Sequence, residues 1–252
     1  MRIFTLSDIH IDFAVNEQWI DNLSNTDYLD DSLILAGDIS DSEARIARCF
    51  DQLKSKFKEV FYVPGNHDIW VRKDSPADSI EKFFKLLELA QQHQVITEPK
   101  RLNGTTVIPL FSWYDLSFGT VSDTLRSKWM DFTHCKWPDT LETPEAQNRF
   151  FLDKNNLQLD HSAERVITFS HFLPRIDVMP DFIPHRFRDI YPVLGSPQLD
   201  QQIRTLNSDI HIYGHSHVNR AVKIKGVRYI NNAFGYPSET RIAAKTLMEI
   251  DD

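Results

Sequence analysis

The chain has 252 residues, of which 41% are hydrophobic and 25% charged, and its net charge is −8 with histidine counted as neutral. This composition excludes an intrinsically disordered protein, and the negative charge argues against a surface that broadly attracts nucleic acid or an anionic membrane. Cys49 and Cys135 are widely separated and form no CxxC pair, so the sequence indicates neither a disulfide framework nor a cysteine metal site. No apolar run approaches the roughly 18 residues of a membrane span. Charged residues interrupt the N-terminal segment too early for a signal peptide, so we expect a cytoplasmic protein.

Short apolar runs alternate with amphipathic helical patterns, which is typical of an α/β protein with helices packed on a sheet. We expect the last three apolar runs to form an antiparallel meander, so that the sheet would be mixed. In chain order the predicted strands are 2–7, 32–36, 60–63, 105–111, 165–170, 209–213, 221–224, 227–231 and 246–250.

Three predicted helices have recognisable starts. Ser40 and Glu43 fit a capping box that precedes an apolar stripe at positions 46, 50, 53 and 57. Ser75-Pro76 and Ser196-Pro197 each place a capping residue before a proline at a helix start. Two long segments, 111–150 and 171–196, are aromatic and weakly periodic, and we expect them to be loop insertions that shape a substrate pocket within a single domain over residues 1–252.

Polar side chains follow five of the predicted strands at the point where each strand ends. The carboxyl ends of strands in an α/β sheet are where ligands bind, because neighbouring loops converge there. Carboxylate and amide oxygens with imidazole nitrogens, and no thiolate, suit divalent ions such as Mn, Fe, Zn or Ni. Seven candidate ligands exceed what one ion needs and predict two ions that share one carboxylate, for which Asp38 in a tight Gly-Asp turn is the best candidate. The seven are Asp8, His10, Asp38, Asn66, His171, His215 and His217.

The order of these motifs resembles that of the calcineurin-like metallophosphoesterases. The matching motifs are D-x-H at 8–10, GD at 37–38, GNHD at 65–68, a lone histidine at 171 and GHSH at 214–217. The resemblance implies an α/β fold of two mixed sheets packed face to face and flanked by helices, a dinuclear metal centre of Mn, Fe, Zn, Ni or Mg, and hydrolysis of phosphate esters. It also implies that Asp8, His10 and His217 hold one ion and Asn66, His171 and His215 the other, with Asp38 between them.

Two ions about 3.5–4 Å apart can bind a phosphoryl oxygen and lower the pKa of a water between them, so we expect a bridging hydroxide to attack phosphorus. His67 stands beside a ligand and is the expected general acid, protonating the leaving oxygen or stabilising its charge. The resemblance makes Asp41, the second aspartate of GDISD, the first choice for orienting His67, and Asp68 the alternative. Ser42 stands where the protein-phosphatase branch has an arginine, which argues against a protein phosphatase.

Three further residues are candidate substrate contacts. Arg175 and Arg186 follow His171, where a guanidinium group can bind a phosphate in bidentate fashion, although an ordinary solvated loop is an equal alternative. Trp113 belongs to an aromatic stretch that would either stack on a base or sugar or form a small core under the insertion.

These observations together predict a metal-dependent hydrolase of a small phosphorylated substrate, such as a nucleotide or another organic phosphate, with either a monoester or a diester bond. A nuclease of the same family is the first alternative, and the net charge and the lack of a basic stripe argue against it. A scaffold that has lost the chemistry is the second alternative. It is disfavoured because every motif residue is present.

Overall fold

The computed structural model describes residues 1–72, 76–157 and 165–250. Within these ranges two β-sheets pack face to face, and helices cover their outer faces. The alternation of side chains along a strand produces this layering. In the strand β2 (Ser32–Leu35), Leu33 and Leu35 point to the helices, whereas Ile34 joins the core between the sheets. All four residues of β2 are buried, as expected for a strand covered on both faces.

The first sheet carries three of the site motifs at its strand ends. Its parallel strands are β1 (Ile3–Leu6), β2 and β3 (Glu59–Tyr62), and the short β10 (Met248–Glu249) pairs antiparallel with β1. The sheet order is therefore β10-β1-β2-β3. The parallel strands end in register, because Leu6 is opposite Leu35 and Leu35 is opposite Tyr62.

The second sheet has the order β4-β5-β6-β7-β9-β8. Strands β5, β6, β7 and β9 are parallel to their neighbours, while β4 and β8 pair antiparallel at the two edges. The bounds are β4 (Lys100–Leu102), β5 (Thr105–Pro109), β6 (Arg165–Phe169), β7 (Ile210–Tyr213), β8 (Arg220–Ile224) and β9 (Val227–Asn231).

The predicted C-terminal meander is wrong. Strands β8 and β9 do form an antiparallel hairpin, but β9 has β7 on its other side and offers no free edge to a third strand. The last strand therefore crosses to the first sheet and pairs with the open edge of β1. The three-residue strand β4 was not predicted.

Seven α-helices lie within the described residues, and three of their starts can be compared with prediction. The helix from 197 begins as expected, since Ser196 accepts a hydrogen bond from the backbone of Gln198. The capping box is wrong, because the hydroxyl of Ser40 donates to Asp12 instead of capping the helix. The third predicted start, Ser75, lies outside the described residues, and Asp78 caps that helix. The helices are α1 (Ala14–Asp21), α2 (Glu43–Lys54), α3 (Ser79–Gln92), α4 (Asp123–Lys128), α5 (Asp131–His134), α6 (Pro144–Leu152) and α7 (Pro197–Thr205).

The two segments expected to be loop insertions contain short helices. The first insertion, 111–150, holds α4, α5, most of α6 and a 3-10 helix at Asp139–Leu141. The second, 171–196, holds 3-10 helices at Ile176–Val178 and His185–Val193. Helices of one to three turns are too short to show a clear periodicity in sequence, which is why they were not predicted.

In the part of the chain that the structure describes, no helix has both the length and the apolar character needed to cross a membrane. The cytoplasmic location stays a prediction.

Candidate metal centre

The predicted ligands lie at one end of the two sheets, in the turns that follow five strands. Strands β1, β2 and β3 of the first sheet and β6 and β7 of the second all deliver a polar side chain there. The turns are joined by backbone hydrogen bonds, as between the amide of Asp8 and the carbonyl of Gly37, at 2.9 Å. The sheet ends thus bring together side chains that are up to 209 positions apart in the sequence.

These turns hold an unusual backbone conformation. Five of the seven predicted ligands have positive φ although none is a glycine. This conformation is strained for a residue with a side chain, so it persists only where the surrounding structure enforces it, and it is most frequent at functional sites. Gly37 also has a φ of +83°, and a methyl group at this position would lie 2.5 Å from Nδ1 of His171. The five are Asp8, His10, Asp38, His215 and His217, with φ between 43° and 66°.

The ligand atoms form two groups that share Asp38. In each group all of the candidate atoms lie within 4.8 Å of one another, and all of the residues are buried. The first group contains Asp8, His10, Asp38 and His217, and the second contains Asp38, His171 and His215.

In the first group the histidine nitrogens face the carboxylates. Nε2 of His217 lies 3.2 Å from Oδ1 of Asp8 and 3.2 Å from Nε2 of His10. Nε2 of His10 is 3.9 Å from Oδ2 of Asp38. On the outer side of the His217 ring, Nδ1 lies 2.6 Å from Oε2 of Glu239. Because that carboxylate accepts the Nδ1 hydrogen, the lone pair of Nε2 can point into the group.

The second group is arranged in the same way. Nδ1 of His171 lies 2.9 Å from the carbonyl oxygen of Ala36, and Nε2 of His215 lies 3.0 Å from that of Val193. Since a carbonyl oxygen only accepts, those nitrogens carry the hydrogens and the opposite ring nitrogens face inward. Nε2 of His171 is 3.2 Å from Nδ1 of His215, 3.5 Å from Oδ2 of Asp38 and 3.0 Å from Oδ1 of Asn66.

The electrostatics of the two groups also suit cations. Burial, with the charges of Asp68 and Asp8, raises the pKa of Asp38 well above its usual value. Burial favours the neutral form of His217, but Asp8 and Glu239 outweigh it and raise the pKa of His217 to about 10. Cations placed between these groups would relieve the repulsion among the carboxylates and satisfy the inward lone pairs. The donor set therefore fits two divalent ions.

His67 lies at the edge of the first group. Its side chain is 20% exposed, and its Nε2 is 4.0 Å from Oδ2 of Asp38 and 3.4 Å from the hydroxyl of Tyr236. The ring packs on Trp70, with the ring centroids 3.7 Å apart. Burial, reinforced by the neighbouring His10, keeps the pKa of His67 well below its ordinary value, so the ring is neutral at pH 7.

The described contacts of Asp68 do not include the His67 ring. Oδ1 of Asp68 accepts hydrogen bonds from the backbone amides of Ile39 and Ser40, at 2.7 and 3.0 Å. Oδ2 accepts from the amides of Asp38 and Gly65 and from the hydroxyl of Tyr62. Asp68 thus ties the turn after β2 to the turn after β3, which corrects its alternative role as a partner of His67.

The contacts described for Asp41 also do not include His67. The carboxylate of Asp41 lies 3.6 Å from the guanidinium of Arg72, and its backbone carbonyl accepts from Lys82. The role of Asp41 in orienting His67 stays a prediction.

The contacts described for the three candidate substrate residues do not include any of the predicted ligands. Trp113 is 1% exposed, and its ring packs against Trp137, Phe151 and Phe172, which favours the small core over the alternative of stacking on substrate. Arg175 donates to Asp177 and Asp200, which neutralise its charge. Arg186 is exposed on the second insertion, with its guanidinium over the ring of Phe187.

Four residues of the site were not predicted. Tyr236 and Glu239 come five and eight residues after β9 ends at Asn231, too far along the chain for the strand-end rule to point to them. Trp70 lies just beyond the GNHD motif, but nothing in its context marks it. Asp131 comes from the first insertion, where no strand precedes it and no sequence signal was available. Its carboxylate accepts hydrogen bonds from Asn66, Trp70 and Trp129.

The chain is similar to known phosphoesterases over most of its length. The acyl-carrier-protein phosphodiesterase PptH of Mycobacterium tuberculosis is 26% identical, over 95% of this chain and 79% of PptH. An uncharacterised protein of Acanthamoeba polyphaga mimivirus is 24% identical, over 95% of this chain and 93% of its own length. The crystal structure of phosphopantetheinyl hydrolase PptH from Mycobacterium tuberculosis superposes with a TM-score of 0.76 at 23% identity, covering 99% of this chain and 95% of that one.

The model of the calcineurin-like phosphoesterase family matches residues 1–219, which include every motif of the site. The fold of the PptH crystal structure confirms the predicted sandwich of two mixed sheets with flanking helices. The family uses dinuclear metal centres, and the two groups around Asp38 meet that requirement. The chain therefore belongs to the calcineurin-like phosphoesterase family, and it is a phosphoric ester hydrolase, as its motifs predict.

Proposed function

We propose that the chain is a phosphodiesterase that hydrolyses the bond between a phosphopantetheine group and an acyl carrier protein. The observation that carries this proposal is the similarity to the acyl-carrier-protein phosphodiesterase PptH over 95% of the chain. This chain also has both groups of candidate ligands around Asp38. The depth of the site supports the same substrate. All seven candidate ligands are at most 8% exposed. A phosphodiester within a slender, flexible arm reaches such a recessed site more easily than one in a nucleic-acid duplex.

The ligand assignment is part of the proposal. Asp8, His10 and His217 would hold one divalent ion, Asn66, His171 and His215 would hold the second, and Asp38 would be shared between them. The support is that the three histidines with a described outer partner each direct the opposite ring nitrogen into its group. The mixed oxygen and nitrogen donors suit Mn, Fe, Zn or Ni, with Mg as a harder alternative.

Two ions bound there supply Lewis-acid activation of a water and of the phosphoryl oxygens. The protein contributes the placement of the groups around them. His67 lies beside the first group with a neutral ring, so its N–H is available to donate a hydrogen bond to the leaving oxygen as negative charge develops on it. The hydroxyl of Tyr236, 3.4 Å from Nε2 of His67, limits where that leaving oxygen can lie.

The experiment is incubation of the metal-free protein with a phosphopantetheinylated carrier protein and Mn, Mg, Zn, Ni or no added metal. Mass spectrometry of the carrier protein is expected to show metal-dependent loss of the phosphopantetheine mass, with release of phosphopantetheine. Bis(p-nitrophenyl) phosphate and p-nitrophenyl phosphate serve as a small diester and a monoester. Hydrolysis of either small ester with an intact carrier protein would contradict the proposed substrate while leaving the reaction class in place.

A further inference from the structure

A buried carboxylate of the first insertion contacts three side chains around the metal centre. We propose that Asp131 is a positioning residue that makes Asn66 present its oxygen to the second group. The proposal rests on the proposed function in one respect, that Oδ1 of Asn66 is a ligand of the second ion. Asp131 lies in α5 of the first insertion, and its described hydrogen bonds involve none of the predicted histidine ligands.

All of the groups that approach the Asp131 carboxylate in these contacts are hydrogen-bond donors. Oδ1 accepts from Nδ2 of Asn66 at 2.9 Å and from Nε1 of Trp70 at 2.7 Å. Oδ2 accepts from Nε1 of Trp129 at 2.8 Å. Asp131 is 2% exposed, so water does not replace these partners. The surroundings of Asp131 therefore suit a group that only accepts hydrogen bonds, such as an ionised carboxylate.

This acceptor-only contact decides the orientation of the Asn66 amide. The two ends of an asparagine amide have nearly the same shape, and only the hydrogen-bond partners distinguish them. Because Asp131 cannot donate when ionised, it takes the NH₂ end of Asn66, and the oxygen end faces Nε2 of His171 at 3.0 Å. An amide nitrogen has no lone pair available for a metal ion. The reversed orientation would therefore remove one ligand from the second group.

The same carboxylate also fixes two rings that border the site. The indole of Trp70 packs on His67 with an angle of 30° between the rings. The indole of Trp129 meets the His215 ring edge-on, with the centroids 5.8 Å apart and an angle of 90°. Asp131 holds the N–H end of each indole. Its influence therefore reaches the proposed acid and one ligand of the second ion as well as Asn66.

The decisive variant is Asp131→Asn, which keeps the shape and replaces one acceptor by a donor. The introduced amide can donate to Oδ1 of Asn66 and stabilise the reversed orientation. Calorimetric titration of the metal-free protein with Mn²⁺ is expected to show one site as in the wild type and a second site about 10- to 100-fold weaker. At two equivalents of Mn²⁺, the electron paramagnetic resonance signal should change from that of a coupled pair to that of an isolated ion.

A matched control is Asp115→Asn. Asp115 is a buried carboxylate of the same insertion, but it accepts from Ser117 and Ser196 instead of from a residue of the site. This variant should bind both ions as the wild type does. If it also lost the second ion, the effect would belong to the insertion as a whole and the proposal would be overturned.

The double variant Asn66→Asp/Asp131→Asn tests the orientation directly. A carboxylate at position 66 has an oxygen at both ends, so it no longer needs an acceptor at position 131 to select the correct one. We expect the double variant to regain the second ion. Failure to regain it, or unchanged binding of both ions in Asp131→Asn, would overturn the proposal. None of these measurements uses a substrate, so a wild-type protein that binds two ions but leaves carrier protein intact would refute only the proposed substrate.

Discussion

Nε2 of His10 and Nε2 of His217 face each other at 3.2 Å in the interior of the protein, although 207 positions separate the two residues. Two neutral ring nitrogens cannot both direct a lone pair at this distance without repulsion, so a proton or a cation must lie between them. Asp8 and Glu239 raise the pKa of His217, so in the protein without metal we expect that ring to carry the proton. The same atoms are free to bind an ion once the proton leaves.

Removal of metal is accordingly expected to destabilise the protein. A ligand at about one hundred times its dissociation constant stabilises the folded state by about 2.7 kcal/mol, which for a chain of this size is a rise in Tm of about 5–10 °C. Differential scanning calorimetry of the metal-free protein, with and without added Mn²⁺, measures this shift. An unchanged Tm would contradict the assignment of the site as a metal centre.

Asp38→Asn should strip metal and hydrolysis together, yet stabilise the metal-free protein. Folding raises the pKa of Asp38, because burial and the charges of Asp68 and Asp8 disfavour its ionised form. A carboxylate with a raised folded pKa destabilises the fold above its unfolded pKa, and the cost disappears as the pH falls. At pH 7 this cost is present in the metal-free wild type and absent from Asp38→Asn, so we expect the metal-free variant to be the more stable of the two.

Urea unfolding of both metal-free proteins at pH 7 and at pH 5 checks this expectation. The advantage of Asp38→Asn should be smaller at pH 5, where the wild-type carboxyl is closer to protonation. A variant less stable than the wild type at pH 7 would show that the negative charge is needed for folding.

His67→Ala should lower kcat and leave both ions in place. Loss of a general acid costs about 10²- to 10⁴-fold in rate for a poor leaving group, and less for a good one. The variant should therefore be more impaired on a carrier-protein substrate than on bis(p-nitrophenyl) phosphate, whose leaving group needs little help. Metal analysis of the purified variant provides the comparison with Asp38→Asn. Loss of metal from His67→Ala with retention in Asp38→Asn would reverse the two roles.

Trp113→Ala should destabilise the protein without a specific effect on substrate binding. Removing a buried tryptophan from a core costs about 3–5 kcal/mol, and Trp113 is 1% exposed. Arg186→Ala, at an exposed position, is the matched control and should change the free energy of unfolding by no more than about 0.5 kcal/mol. A raised KM for Trp113→Ala with unchanged stability would instead support the alternative that Trp113 stacks on substrate.

The candidate ligands could be proposed from the sequence because each is local to a strand end. A buried apolar run marks the strand, and the polar residue directly after it must lie at the edge of the sheet. Asp8, Asp38 and His171 are all of this kind, and they belong to the two groups that share Asp38. The order of the motifs then identified the family.

The partners of the ligands could not be predicted in the same way. Glu239 lies in the loop after β9 and Asp131 in the first insertion, and each contacts a predicted ligand. The local sequence around either residue does not indicate where its loop or insertion runs in the fold. His215 donates to the backbone carbonyl oxygen of Val193. Every residue has such a carbonyl group, so the residue type at position 193 gives no sign of this contact. Trp113 was ambiguous because an aromatic stretch has the same composition in a core and in a binding wall. The strand β10 shows the same limit, since its partner was decided by which strand had a free edge.

Each of the two groups takes residues from both sheets, with Asp8 and Asp38 following strands of the first and His171 and His217 following strands of the second. Neither sheet alone contains a complete group. A growing chain therefore cannot capture its ions until β7 has emerged and the sheets have docked, and a captured ion then acts as a cross-link between distant segments. Metal uptake during refolding should report the docking of the two sheets, which makes it a late event in folding.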